Sequence, residues 1–321
     1  MIWRELDRTD LGFLGKIGSC IAGAEADHPG VIPDLRQGSL VVVSDYGGEH
    51  RAALWSTYCF LVAQLDDAAR WVEVTRPLRT SLLPDGRRMA FKRLADQLRA
   101  RALPFFLTSA NSLRGLLVCF AVQRKIASLF TQGKLDPSRL EYEPLRRYPA
   151  DVAEKVLRVT HILALLVAGL SGVEQDLLWL TDEDPMAPTF GHLRTLTDVT
   201  GRATAELVPH QMRHLRIATA RSDPGDRSVE DLLAVPDLVA GMLAELLGYM
   251  LGKHGVPPSR MFLASPHPLP VKLRELGNWF SDNTQQLRRL VVILDEMPGG
   301  TLRATHLRFH GSCDLHAGIG I

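Results

Sequence analysis

Cysteine is scarce in this chain and is not arranged for bonding. The four cysteines, Cys20, Cys59, Cys119 and Cys313, lie far apart and form no CxxC pair. Three of them stand among apolar neighbours, which favours reduced core residues over a disulfide framework or a zinc site. The N-terminal segment MIWRELDRTD lacks the basic-then-apolar order of a signal peptide. Together these absences predict a cytoplasmic protein.

The chain also lacks an excess of either charge. Its formal net charge is +1, so any site for a polyanion must be a local patch. The most apolar helical run, residues 156–170, carries Arg158 and His161, which predicts a buried helix and no membrane span. The motifs GxSxG, GxxxxGK[ST], HExxH and GxGxxG are absent, which argues against serine hydrolases, P-loop proteins, zinc proteases and dinucleotide-binding enzymes.

The stretch SLVVVSDYGGEH, residues 39–50, is the most informative one present. Its β-branched apolar run predicts a buried strand that ends in Asp45. A carboxylate in that position needs water, a hydrogen-bond donor or a metal beside it. Gly47 and Gly48 leave room for a ligand or another backbone nearby, although a turn capped by Asp45 is the simpler alternative.

Two later segments place further acids beside apolar runs. The segment DLLWLTDED, residues 176–184, predicts a strand followed by Asp182, Glu183 and Asp184. Asp237 follows Pro236 within an otherwise apolar helical pattern. An ionised carboxylate there is costly unless it is paired or metal-bound.

The order of the remaining elements predicts an α/β fold. Residues 1–38 form an irregular lead-in with a helical patch, and the strand at Asp45 opens an antiparallel meander with residues 52–64 and 70–75. A basic amphipathic helix over 91–102 comes next. The later pattern predicts strands over 115–122, 176–181 and 212–220, and helices that include 156–170, 192–207 and 229–251. This order builds a mixed sheet with helices on both faces, over residues 39–254.

A C-terminal extension, residues 255–321, follows this domain. Prolines at 257, 258, 266, 268 and 270 predict a stiff linker. A helix over 271–280 and strands over 287–294 and 301–309 around a Pro-Gly-Gly turn predict a helix plus a β-hairpin. We expect this unit to pack on the main domain or to pair with a partner protein, and the final GSCDLHAGIGI to be flexible.

The carboxyl ends of parallel strands meet at one edge of a sheet, so Asp45 and Asp182 should lie together there, with Asp237 beside them. Three like charges need a cation, and a set without His or Cys favours Mg²⁺ or Mn²⁺ over zinc. Pairs of such ions, about 3.5–4 Å apart, activate water and stabilise the leaving oxygen in phosphodiester cleavage.

The three acidic segments resemble a known family. Asp45-Tyr46-Gly47-Gly48, Thr181-Asp182-Glu183 and the string VPDLVAG at 235–241 are similar to motifs of the bacterial domain-of-unknown-function family 3800. The similarity covers about residues 39–250, and the last string is its most specific part. The resemblance implies an RNase H-like fold and a metal-dependent nuclease, often from mobile-element or phage-defence loci, with Asp45, Asp182 and Asp237 as catalytic metal ligands and Glu183 as a further candidate.

The sequence departs from the family pattern where the family has a Glu two residues before a Lys. Here Ala90 precedes Phe91 and Lys92, so one expected acid is missing. Asp96, Asp85 and Glu49 are the candidate substitutes. Pro236 is also unusual, although proline is tolerated in a first helical turn.

The densest basic cluster predicts a nucleic-acid-binding surface, with a solvated helix face as the alternative. Its candidate phosphate-binding residues are Arg88, Lys92, Arg93 and Arg99, flanked by Arg87 and Arg101. Glu49 and His50 either reach the acidic site or lie in a solvated turn. The sequence thus favours a Mg²⁺- or Mn²⁺-dependent RNase H-like nuclease or an effector derived from one. The alternatives are a catalytically weak scaffold that binds nucleic acid or a partner protein, and a phosphatase-like metal hydrolase.

Overall fold

A seven-stranded mixed sheet forms the centre of the computed structural model, which describes residues 1–310 except 7, 253–256, 258 and 264–268. Its strands are β1 (Leu40–Gly47), β2 (Trp55–Gln64), β3 (Gly115–Gln123), β4 (Leu177–Thr181), β5 (Leu215–Thr219), β7 (Leu287–Glu296) and β8 (Leu302–His306), in the order β5-β4-β1-β2-β3-β7-β8. Two short strands, β6 (Arg260–Phe262) and β9 (Arg308–His310), pair separately in parallel.

The strand directions divide the sheet into two kinds of pairing. β1, β2 and β3 form an antiparallel meander, whereas β4 lies parallel to β1 and β5 lies parallel to β4. On the other side, β7 is parallel to β3, and β8 forms an antiparallel hairpin with β7. The predicted mixed sheet is therefore confirmed, and β1 stands near its middle, buried on both faces by apolar side chains.

Helices cover both faces of the sheet, as the sequence predicted. The helices are α1 (Phe13–Asp27), α2 (Leu65–Leu82), α3 (Gln97–Ala110), α4 (Ala150–Leu170), α5 (Phe190–Leu207), α6 (Ser228–Leu251) and α7 (Val271–Ser281). α1, α4 and α5 share one hydrophobic core with one face, and α2, α3, α6 and α7 share a second core with the other. We call these the α4 face and the α6 face.

The prediction of a strand over 70–75 is wrong, because this segment belongs to α2. The β-branched residues there suggested a strand, but the buried residues Ala68, Trp71 and Thr75 recur at helical spacing. Asp66 and Asp67 in the first turn favour the helix N-terminus. The third strand of the meander is β3 instead.

The prediction of one continuous basic helix over 91–102 is also wrong. Phe91–Arg93 form a short 3₁₀ turn, and α3 starts only at Gln97. Asp96 caps α3, because its side chain accepts a hydrogen bond from the amide N–H of Arg99. The basic residues therefore lie along a bent segment and not on one helix face.

The cysteines differ from the expectation of reduced core residues. Cys59 and Cys119 face each other across β2 and β3, with their Cα atoms 4.2 Å apart, and the structure joins them in a disulfide. The pairing could not be predicted from the sequence, because the two cysteines are 60 residues apart and only the register of β2 against β3 brings them together. Cys20 is free.

The C-terminal extension joins the main sheet. β7 pairs with β3 along most of its length, and β7 and β8 form the predicted hairpin. The sheet is thus continuous across the boundary drawn at residue 254, and the division into domains stays a prediction. Pro258, Pro266 and Pro268 of the expected linker and the final segment 311–321 lie outside the described residues.

One helix has the length and hydropathy of a membrane span. This is α6, in which 72% of the most apolar window is buried inside the fold. Burial of that extent is typical of the core helix of a soluble protein.

Candidate functional site

Asp45 and Asp182 stand at the same edge of the sheet, on neighbouring strands. β1 and β4 are parallel, and Ser44 of β1 pairs with Thr181 of β4. Asp45 follows Ser44 and Asp182 follows Thr181, so the two acids lie side by side at the ends of the two strands. Because side chains alternate along a strand, Asp45 lies on the same face as Val41 and Val43, which is the α6 face. Asp45 is 8% exposed.

Asp237 reaches this edge from α6, which packs on β1 and β2. Its Oδ2 accepts a hydrogen bond from the amide N–H of Phe91 at 2.7 Å. One turn later, Gly241 lies directly against the ring of Phe91, where a Cβ atom would come within 2.1 Å of a ring carbon. The contact between α6 and the 3₁₀ turn therefore fixes the position of this carboxylate.

The two glycines after Asp45 allow close backbone packing, Gly47 against α6 and Gly48 against β2. A Cβ on Gly47 would lie 2.5 Å from the carbonyl oxygen of Ala240. Gly48 has a φ of +73° and packs against the carbonyl of Trp55, where a Cβ atom would lie 1.8 Å from the oxygen. Both glycines thus serve close backbone packing, and Gly47 is the one that places α6 and its acid beside the strand end.

The three carboxylates influence one another through charge. Burial raises the pKa of Asp45 well above its ordinary value, and the charges of Asp237 and Asp182 raise it further. Burial likewise raises the pKa of Asp237 to about 6, although the Phe91 amide and the cations Arg88 and Lys92 act against that rise. The trio is therefore an acidic cluster whose members repel one another.

Oxygen atoms alone make up the donor set of this cluster, which suits Mg²⁺ or Mn²⁺ better than zinc. Oδ1 of Asp45 accepts a hydrogen bond from the amide N–H of Tyr46 at 2.5 Å, and Asp45 forms no ion pair within the described residues. Over that same part of the chain, no three His, Cys, Asp or Glu side chains stand together as a complete ligand set. The chemistry of the trio fits a divalent ion, and its side chains would have to draw together to bind one.

Basic residues border the cluster on the α6 face. Arg88 lies 3.7 Å from Asp182, and Lys92 and Arg93 are exposed. Arg99 differs from these, because its Nε donates to the carbonyl of Arg88 at 2.8 Å and its side chain is mostly buried. Arg99 therefore supports the backbone of the basic segment.

Asp85, Asp96 and Glu49, the candidate substitutes for the acid that the resemblance to family 3800 would require, form ion pairs with basic side chains. Asp85 and Asp96 both form ion pairs with Arg87. Glu49 pairs with Lys155, and Glu183 pairs with Arg221 at 2.8 Å. His50 lies in the exposed turn, where its carbonyl accepts a hydrogen bond from Arg124 at 2.6 Å.

A second charged cluster lies behind β1, on the α4 face, and the sequence analysis did not single it out. Lys155 of α4 lies 2.5 Å from Asp184, also pairs with Glu49, and covers the ring of Tyr46 at 4.4 Å. Burial lowers the pKa of Lys155 while the two carboxylates raise it, with a net rise. The sequence signal for this cluster was Lys155 itself, a lysine within a largely apolar helix. Only the fold shows that it contacts Glu49 and Asp184.

A groove opens beside this second cluster. It has a volume of about 810 Å³ and lies between the ends of β1 and β2, the loop after β3 and the first turns of α4. We call it the α4-side groove, and its lining includes Tyr46, Tyr58, Arg124, Lys125, Lys134 and Lys155.

Comparisons with known proteins do not assign the chain to a family. A scan against protein-family models finds no match, and a search of curated proteins finds no relative.

Proposed function

We propose that this protein is a divalent-metal-dependent RNase H-like nuclease, or an effector derived from one, that hydrolyses phosphodiester bonds. The observation that carries the proposal is the cluster of Asp45, Asp182 and Asp237, in which a buried carboxylate faces two like charges. Clustered acids of this kind are typical of functional sites, because repulsion and burial are costly unless a ligand relieves them.

The topology supports the same proposal. An antiparallel meander, β1 to β3, is extended beyond β1 by two parallel strands, β4 and β5. This is the arrangement that the resemblance to family 3800 implies, with one acid at the end of β1 and another at the end of β4. The similarity to that family stays a prediction, as does a role in phage defence or in a mobile element.

In this proposal Asp45, Asp182 and Asp237 hold Mg²⁺ or Mn²⁺. Bound ions would supply the activation of water and the stabilisation of the leaving oxygen. The amide of Phe91 orients Asp237, and the close packing of α6 on β1 keeps the acids together as their charges repel. Arg88 and Lys92 attract the phosphate backbone to this edge.

A scaffold that binds nucleic acid or a partner protein without cleavage is the second candidate. It is favoured by Ala90, which stands where the family has an acid. The C-terminal hairpin of β7 and β8 is its candidate protein-binding element. For both candidates we propose a cytoplasmic location.

The deciding experiment incubates the full chain with Mn²⁺ and labelled single- and double-stranded DNA and RNA, with EDTA as the control. A nuclease cleaves at least one substrate in Mn²⁺ and none in EDTA. A scaffold shifts the mobility of the substrate without cleaving it. A phosphatase-like hydrolase would instead release phosphate from small monoesters and leave the polymers intact.

A further inference from the structure

The α4-side groove carries more positive charge than its own acids neutralise. Arg124 donates to the carbonyls of Gly48 and His50, and Lys125 donates to the carbonyl of Glu296 at 3.0 Å. Carbonyl oxygens leave the charge of a cation in place. Neither cation has a carboxylate within 4.0 Å in the part of the chain described.

Lys134 adds a third cation to this lining. It is exposed, and no ion pair is found for it among the described residues. Of the acids that line the groove, Glu49 is paired with Lys155 and Glu154 with Arg158. Asp151 is the acid that remains without a cation among the described side chains, so the unpaired cations outnumber the unpaired acids and the groove favours an anion.

The size of the groove excludes a duplex. Its volume of about 810 Å³ lies in the range of pockets that enclose small ligands, about 300–1,000 Å³, and such a space does not admit a duplex. Tyr46 and Tyr58 lie in its lining, but Tyr58 is 5% exposed and Lys155 covers the ring of Tyr46, so these rings pack within the fold. The cations of the groove are what favours a phosphate backbone, because a positively charged groove tracks the backbone of a single strand.

The groove ends at the same sheet edge as the acidic cluster, but on the other face of the sheet. Tyr46 and Gly47, which line it, directly follow Asp45 on β1. Lys155, whose ammonium covers the ring of Tyr46 at 4.4 Å, lines the same end of the groove. A strand that leaves the groove at the end of β1 would cross the sheet edge to reach Asp45, whose side chain lies on the α6 face.

We propose that the α4-side groove binds one strand of DNA or RNA through its phosphates, with Arg124, Lys125 and Lys134 as the phosphate-binding cations, and guides it to Asp45. This inference rests on the proposed nuclease function and narrows its substrate class to nucleic acid that is single-stranded at the site.

The test measures binding of a short end-labelled single strand by fluorescence anisotropy, in EDTA so that cleavage does not occur. The double variant Lys125→Glu with Lys134→Glu should bind at least about tenfold more weakly than wild type. Its slope of log affinity against log salt should fall by about 1.4, since each phosphate contact to a single strand contributes about 0.7.

The matched control is Lys16→Glu with Arg114→Glu, which makes the same change of charge at exposed residues outside the groove. This control should bind as wild type does, and the thermal midpoints of both variants should agree with wild type. A mononucleotide and a blunt duplex should compete weakly with the labelled strand.

The inference would be overturned by equal affinities for the groove variant and wild type, by an equal loss in the control, or by equal competition from a mononucleotide or a duplex. A wild-type protein that binds no strand at all would also overturn it. Strand binding that depends on Lys125 and Lys134, without cleavage in Mn²⁺, would refute the nuclease proposal alone. Cleavage that the groove variant leaves unchanged would refute only the groove.

Discussion

The amide N–H of Phe91 donates a hydrogen bond to Oδ2 of Asp237 at 2.7 Å, and this contact joins the basic segment to α6. Lys92, the next residue, is held at the border of the acidic cluster by the same turn. The bond orients the carboxylate without neutralising it, because an amide carries no net charge. The hydrogen bond therefore holds the Asp237 carboxyl group beside the two other acids and leaves it able to ionise.

Two aspartates on α6 should respond oppositely to the same substitution in the metal-free protein. Asp231 forms a two-point ion pair with Arg79 in a mostly buried position. Asp231→Asn should lower the free energy of unfolding by about 3–5 kcal/mol, since it leaves a buried guanidinium unpaired. Asp237→Asn removes a repelled charge and keeps an oxygen that accepts from Phe91, so stability should stay equal or rise. Urea denaturation of both variants in EDTA measures this contrast, and a large loss for Asp237→Asn would make that residue structural.

The stability of the metal-free protein should depend on pH through Asp237. Its pKa in the folded protein is raised from 3.8 to about 6, so the folded state holds the proton more tightly than the unfolded state. The stabilisation is complete below the unfolded pKa and is lost as the pH rises through about 6, with a total of about 3 kcal/mol. The stability difference between wild type and Asp237→Asn, measured in EDTA at pH values on both sides of this window, should shift in favour of wild type at the lower pH. A constant difference would contradict the buried position that raises the pKa of Asp237.

Close packing between α6 and Phe91 predicts a cost for the smallest added side chain. Gly241→Ala would press a methyl group into the buried ring of Phe91 and should destabilise the protein by about 1–3 kcal/mol. Gly248→Ala on the same helix is the matched control, because nothing lies within 4 Å of the added atom there. That change should stabilise the protein by about 0.4–1 kcal/mol. Thermal midpoints decide the matter, and equal responses at the two positions would contradict the described contact.

The basic residues should separate into two groups on substitution. Lys92→Glu with Arg93→Glu changes exposed side chains and should weaken polyanion binding and flatten its salt dependence, with an unchanged thermal midpoint. Arg99→Glu should instead lower the midpoint, because it removes the bond to the carbonyl of Arg88. Unchanged affinity and salt slope in the double variant would leave Lys92 and Arg93 as ordinary surface residues.

Most of the fold could be predicted from regular hydrophobic patterns in the sequence. The strand at Asp45, the helix around residues 156–170 and the hairpin of β7 and β8 were all predictable, because each has an apolar period and clear turn residues at its ends. The segment at 70–75 was not, since its β-branched residues resemble a strand until tertiary packing selects the helical face.

Contacts between distant segments could not be predicted in the same way. The register that opposes Cys59 to Cys119 and the addition of β7 to the main sheet depend on the order of strands in space. The neighbouring strand ends at Asp45 and Asp182 were predictable, because a parallel pair presents its carboxyl ends together. The hydrogen bond from Phe91 and the cluster around Lys155 were not, because no local pattern signals a contact across the sheet edge.

The account depends on the three acids acting together, and the most direct test is the rate of cleavage in Mn²⁺ by Asp45→Asn, Asp182→Asn and Asp237→Asn. Each substitution keeps the shape of the side chain and removes the charge that a divalent ion requires. Using the substrate that wild type cleaves fastest, the account predicts a loss of at least about 100-fold for each variant, with metal-free midpoints no lower than that of wild type. Cleavage at the wild-type rate by any one of the three, in a protein that remains folded, would contradict it.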